Sequence, residues 1–162
     1  LPHAAATDKK LQAGELLLLD GGALYRGYHG DMTRTVVLGG ADEKQKKLYK
    51  LVLEAQQRAL VGLHAGLTGK EGDQLARGFL VEAGYGDYFG HGLGHSVGLE
   101  IHERPRLSLS EPAIIPAGAA ITVEPGVYLP GWGGVRIEDL VIITADGLDN
   151  LTRSPKERLQ EI

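Results

Sequence analysis

Three of the chain's six histidines fall in one glycine-rich stretch, Gly90-His91-Gly92-Leu93-Gly94-His95-Ser96-Val97-Gly98-Leu99-Glu100-Ile101-His102-Glu103. Neutral imidazole is the commonest protein ligand for divalent metals, and glycine lets a backbone pass close to an ion or a substrate. Taken alone, the stretch is equally a polar loop with solvated histidines. The acidic residues elsewhere bear on the choice. Asp20 closes the apolar run Glu15-Leu16-Leu17-Leu18-Leu19, and Asp31 opens a Thr/Val-rich run ending at Leu38. Glu124 closes Ala119-Ala120-Ile121-Thr122-Val123, and Glu138 lies inside Val135-Arg136-Ile137-Glu138-Asp139-Leu140-Val141-Ile142-Ile143. With His95, these four carboxylates form a set able to hold two divalent ions that share carboxylates. Such a pair lowers the pKa of water and polarises a carbonyl for attack. One nitrogen among oxygen ligands favours Mn²⁺ or Co²⁺, with Zn²⁺ a further candidate. The competing reading is ordinary: Asp20 and Glu124 begin turns, and Glu138 is an exposed strand residue.

The elements that must position these residues follow from periodicity. The run at 15–19 is a short buried strand by its length, and the run at 31–38 is the clearest strand in the chain. Glycine-rich turns between them would set Asp20 and Asp31 on one side of a sheet. Leu48, Val52, Ala55, Ala59 and Leu63 recur at helical spacing, so an amphipathic helix ends near Ala65-Gly66. Thr68 and Glu71 have the form of a capping box opening a second helix, with Leu75, Ala76, Phe79, Leu80 and Ala83 inward and Gly84 as its stop. Both helices read as scaffold, and His64 as a favourable contact at a helix end. After the histidines come a strand at 119–123, a short one at 127–129, a turn at 130–134 and a half-buried strand at 135–143.

Composition bounds the rest. At 162 residues the chain is one domain's worth, with 43% hydrophobic and 23% charged residues, as expected of a globular protein. A formal charge of −4, a pI near 5.9 and the lack of a Lys/Arg block argue against nucleic-acid binding. There is no cysteine, which excludes disulfides, thiol nucleophiles and zinc–thiolate sites. The apolar runs are too short to cross a bilayer. Nothing resembles a signal peptide, and the chain opens at Leu1-Pro2-His3.

Five ordered segments carry a family resemblance: Asp20-Gly21-Gly22-Ala23; Gly27-Tyr28-His29-Gly30-Asp31-Met32-Thr33-Arg34-Thr35; His91-Gly92-Leu93-Gly94-His95 through His102-Glu103-Arg104-Pro105; Thr122-Val123-Glu124-Pro125-Gly126; and Gly134-Val135-Arg136-Ile137-Glu138-Asp139. Together the sequence resembles the dinuclear-metal pita-bread peptidases, and within them the Xaa-Pro dipeptidases (prolidases) and aminopeptidase P. The resemblance covers nearly the whole chain. It implies an α+β pita-bread fold and a catalytic metallopeptidase domain over residues 1–162.

The same resemblance implies roles. Asp20 would bind one metal, Asp31 and Glu138 would bridge two, and His95 and Glu124 would complete the other. Glu124 would also shuttle a proton to the leaving nitrogen. His91 and His102 match non-ligand histidines that steady the substrate and the tetrahedral oxyanion. His3 matches a substrate-side histidine, and Arg106 an arginine that receives a dipeptide's free carboxylate. Arg104-Pro105-Arg106 reads equally as a solvated turn. Arg136 would support the neighbouring ligand from outside. Ser96 stands where glycine is usual. The family's catalytic domain carries helices and a strand upstream of the His3 position, so the N-terminal part of the fold is expected to lie outside this chain, exposing a sheet edge. The implied activity is hydrolysis of Xaa-Pro bonds, in dipeptides or, as an aminopeptidase P, in longer peptides. A further alternative is a non-catalytic module or inactive fragment, although all five ligand positions are filled. The accompanying expectations are a small proline-containing peptide as substrate, a homodimer joined through regions partly outside this chain, a cytoplasmic location, and no nucleic-acid or membrane partner.

Overall fold

In the computed structural model, which describes residues 7–162, the leucine run forms β1 (Leu16–Gly21), so the strand extends through Asp20. The expectation for His3 lies outside the described residues. Two short strands follow, β2 (Leu24–Tyr25) and β3 (Tyr28–His29), and then β4 (Met32–Val37). Arg26 (φ 51°) and Gly27 (φ 87°) both adopt left-handed backbone, the tight hairpin turn whose twist suits the flanking strands. β1 and β4 are antiparallel with Asp20 opposite Thr33. Side chains alternate along strands, so Asp20 and Asp31 share a face, as the sequence suggested.

Helix α1 (Glu43–Gly62) starts earlier than its first periodic leucine, because Asp42 and Gln45 form a reciprocal capping box. It stops at Leu63, short of Ala65-Gly66. His64 lies beyond that end, where its Nδ1 sits 2.8 Å from the Ala65 carbonyl rather than on the helix's last carbonyls. Helix α2 (Gly69–Glu82) opens on the expected Thr68–Glu71 box, and Gly84 follows it at φ +81°. Ala83, expected inward, is the exposed C-cap. Asp73 is inward instead, buried because Arg77 pairs with it at 2.5 Å and the Leu93 amide donates to it at 3.0 Å. Arg77 also donates to the carbonyls of Phe89 (2.8 Å) and His91 (2.6 Å), so α2 grips the chain as it enters the histidine stretch.

That stretch is not simply a loop. It contains β5 (Gly94–Ser96), followed by β6 (Glu103–Leu107), so Arg104-Pro105-Arg106 is strand rather than turn. Next come β7 (Ala120–Val123), β8 (Gly126–Leu129), β9 (Gly133–Arg136), β10 (Asp139–Ile143) and β11 (Leu148–Asn150). Five strands form an antiparallel sheet in the order β11-β10-β7-β5-β6. β8 and β9 make a separate hairpin, and β12 (Gln160–Glu161) adds parallel to β4. Among the described residues β1 is the outer strand of β1-β4-β12, and Leu19 on it is exposed. No helix among them is long and apolar enough to cross a membrane.

The single strand expected at 135–143 is broken at Ile137-Glu138. There the chain leaves the β8–β9 hairpin for the five-stranded sheet. The Glu138 amide donates to the Thr33 carbonyl (3.1 Å), and Arg34 Nη1 donates to the Glu138 carbonyl (2.6 Å). Nor is this segment half-exposed: Arg136, Glu138 and Asp139 are all buried. Burial of charge requires partners, and Asp139 has one in Arg34 at 2.9 Å. The main core joins the two helices to the five-stranded sheet through residues such as Val52, Ala59, Leu80, Leu93 and Ile121.

Candidate metal centre and cleft

Strand ends deliver the acidic residues to one place. Asp31, just before β4, His95 in β5, and Glu138, at the break before β10, offer ligand atoms that all lie within 4.8 Å of one another. His95 Nε2 is 3.8 Å from Asp31 Oδ2 and 3.4 Å from Glu124 Oε1. Its Nδ1 faces the Ser96 carbonyl at 3.1 Å. The proton therefore belongs on Nδ1, which leaves the Nε2 lone pair toward the carboxylates.

Two threonines orient the glutamates. Thr33 Oγ1 donates to Glu138 Oε2 at 2.6 Å, and Thr122 Oγ1 donates to Glu124 Oε1 at 3.1 Å while accepting from the His95 amide at 3.0 Å. Asp20 stands beside this group but is turned to Arg136, with which it forms an ion pair. The Arg136 guanidinium is buried; it also donates to Tyr128 Oη (3.0 Å) and Thr33 Oγ1 (3.2 Å), and passes 3.9 Å from Glu124 Oε2. Thus four of the five expected ligands converge, and Asp20 adjoins them through Arg136.

The electrostatics are those of acids crowded together out of water. Burial, then Glu124 and Asp31, push the Glu138 carboxyl up to about 9. Burial pushes Glu124 up to about 7 against the opposing pull of Arg136. Asp31 is raised by burial and by Asp20, whereas burial lowers His95 and keeps its imidazole neutral. So much negative charge must be met by protons or by a cation. Oxygen donors with one neutral imidazole suit a divalent ion, so the residues present fit such a group.

These side chains line a cleft of about 670 Å³ that also includes His91, His102, Arg104, Arg106 and Glu111. The His102 ring stands edge-on to His95 with centroids 4.4 Å apart. Arg106 is the ladder partner of His95, which puts its side chain on the same face. His102 and Arg106 are both exposed to solvent. His91 lies deeper: its Nδ1 is 2.8 Å from the Gly92 carbonyl and its Nε2 2.9 Å from Tyr128 Oη.

Thr33, Thr122 and Tyr128 escape a reading of the sequence for ligands. The threonines had a usable signal, since each is two residues from an acidic ligand position and so faces the same way along a strand. Tyr128 had none, because its contacts depend on the β8–β9 pairing.

The model of metallopeptidase family M24 matches residues 1–145. The chain belongs to this family. Among similar M24 proteins, the Xaa-Pro dipeptidase of Pyrococcus furiosus is 52% identical over 159 residues, a match covering 98% of this chain and 46% of that protein. The solved Xaa-Pro dipeptidase from Bacillus anthracis is 50% identical at a TM-score of 0.97, covering all of this chain and 45% of that one. The X-Pro aminopeptidase from Thermotoga maritima MSB8 is 43% identical at the same TM-score of 0.97, again over 100% of this chain and 45% of its own. The fold is the pita-bread fold of M24, and this chain spans less than half the length of the relatives it matches. Membership of M24 implies divalent metal ions.

Proposed function

We propose that the protein hydrolyses Xaa-Pro bonds in dipeptides, using two divalent ions, Mn²⁺ or Co²⁺, held by Asp20, Asp31, His95, Glu124 and Glu138. The observation that carries this reading is the convergence of Asp31, His95 and Glu138 at a cleft in which Arg106 is the ladder partner of His95. The names of the similar dipeptidases support it. Bound there, the ions would lower the pKa of water and polarise the scissile carbonyl.

The chain's own groups do the rest. Water adds to the carbonyl carbon, and Glu124 accepts its proton on a carboxylate that Thr122 holds in place. As the carbon–nitrogen bond breaks, Glu124 returns that proton to the proline nitrogen. His102, beside His95, and His91, fixed by Tyr128, line the cleft where the carbonyl oxygen gains charge. Arg106 receives the free carboxylate of proline through its guanidinium fork. His3 keeps the substrate-side role that the resemblance implies, and residues 1–162 form the C-terminal portion of the catalytic domain.

The second reading, aminopeptidase P, is favoured by the likeness to the Thermotoga maritima enzyme. The two separate on the substrate's C-terminus. A site built around a charged contact discriminates strongly against analogues that lack it. The metal-loaded full-length protein should therefore show a higher kcat/KM for Xaa-Pro than for Xaa-Pro-Xaa by a factor on the order of 100. Arg106→Ala should narrow that gap chiefly by slowing the dipeptide. Equal values in the wild type would overturn the dipeptidase assignment in favour of aminopeptidase P.

A further inference from the structure

In the second half of α1 a glutamine points into the core. Gln56 is fully buried, on the inward stripe with Val52 and Ala59. Its Nε2 donates to two carbonyls, Val123 at 3.1 Å and Ile137 at 3.2 Å, and its Oε1 accepts from Lys156 Nζ at 2.6 Å. Lys156 also pairs with Asp139. A cation on one side and two carbonyls on the other fix which end of the amide is which.

Both carbonyls belong to residues immediately preceding a proposed ligand, Glu124 and Glu138. They sit on two paired strands, between Val123 opposite Asp139 and Gly126 opposite Arg136. The Glu124 and Glu138 amides point outward, to the Leu93 carbonyl (2.8 Å) and the Thr33 carbonyl (3.1 Å). Between the flanking pairs the Ile137 amide reaches the Pro125 carbonyl at 3.4 Å, and Pro125 has no N–H to return to Ile137. Two buried carboxyl groups are thus carried side by side on facing strands where the ladder lacks a donor. A planar amide, clamped from behind by Lys156, bridges the strands one residue away.

We propose that Gln56 is a positioning residue: it sets the separation of Glu124 and Glu138, and through it the affinity for divalent metal. The role rests on the ligand set proposed above. It also gives the segment carrying Lys156 a part in the site, since that lysine holds the amide's orientation. Groups that orient ligands without touching the ion typically change metal affinity by about 10- to 100-fold when removed.

The test compares metal-free full-length wild type with Gln56→Met, which keeps an unbranched side chain but has no donors. Calorimetric titration with Co²⁺ or Mn²⁺ gives the affinities, and the visible spectrum of the Co²⁺ form reports ligand geometry. Both are read at a temperature where circular dichroism shows the variant folded. The expected result is an apparent Kd about tenfold higher, with a shifted Co²⁺ spectrum. A rise of less than about threefold with an unchanged spectrum overturns the proposal. Should Gln56→Met not fold, Lys156→Gln decides by the same threshold, since that side chain lies near the surface at 16% exposure. A wild type that binds no ion overturns the ligand set and this role together. A wild type that binds metal with variants that match it overturns the positioning role alone.

Discussion

Adding divalent metal to the metal-free full-length protein should release protons, in a number that depends on pH in a definite way. Metal ligands must be deprotonated to bind. In the cluster, Glu138 is pushed up to about 9 and Glu124 to about 7, chiefly by burial, with neighbouring carboxylates adding to it. The two titrate as a coupled pair. At pH 6 the pair holds about two protons and roughly two should leave on saturation; at pH 8 it holds about one, and roughly one should leave. His95, lowered by burial, adds little at either pH. Calorimetric titration in buffers of differing ionisation enthalpy at matched pH measures this release directly. The same shifts fix a stability trend. Between the ordinary carboxylate value of 4.5 and about 9, the folded metal-free protein binds more protons than the unfolded chain. Its stability should therefore fall as pH rises through that window. Metal, by supplying the missing charge, should abolish the fall. A heat of binding independent of buffer at pH 6, or a metal-free protein that gains thermal stability from pH 6 to 9, would refute the reasoning.

Other substitutions test the geometry. Asp31→Asn should cut activity by at least about 100-fold while leaving the circular-dichroism spectrum and thermal midpoint near wild type, with metal analysis showing reduced occupancy. Gly94→Ala should destabilise by more than about 3 kcal/mol in a denaturant titration, because a Cβ there would lie 1.9 Å from the Thr122 carbonyl across the β5–β7 pairing. Gly90→Ala, with nothing within 4 Å of its Cβ, should stay within about 0.5 kcal/mol of wild type.

Local signals in the sequence account for the local features of the fold. Thr68 and Glu71 announce α2 because a capping box is satisfied within four residues, and α1 shows its apolar stripe for a similar reason. The acidic residues of the proposed ligand set stand out because each ends, begins or breaks an apolar run. What stays hidden depends on distant partners. The break at Glu138 exists because Thr33 and Arg34 bind its backbone. Asp73 is inward because Arg77 and the Leu93 amide satisfy it. Ala83 sits on the expected apolar face yet is exposed, because the helix has already ended. Gln56 looks like one more polar helix residue until the carbonyls of Val123 and Ile137 are placed beside it.

The hydrogen bond from Thr33 to Glu138 spans 105 residues of chain. A site knitted by contacts of such sequence separation closes late in folding, since the entropy of large loops must be lost before those contacts form. No sub-fragment carrying only Asp20 and Asp31, or only Glu124 and Glu138, presents the full proposed ligand set. Divalent ions held by that set would bind the finished fold and stabilise it by mass action, so they should slow unfolding while leaving the refolding rate almost unchanged.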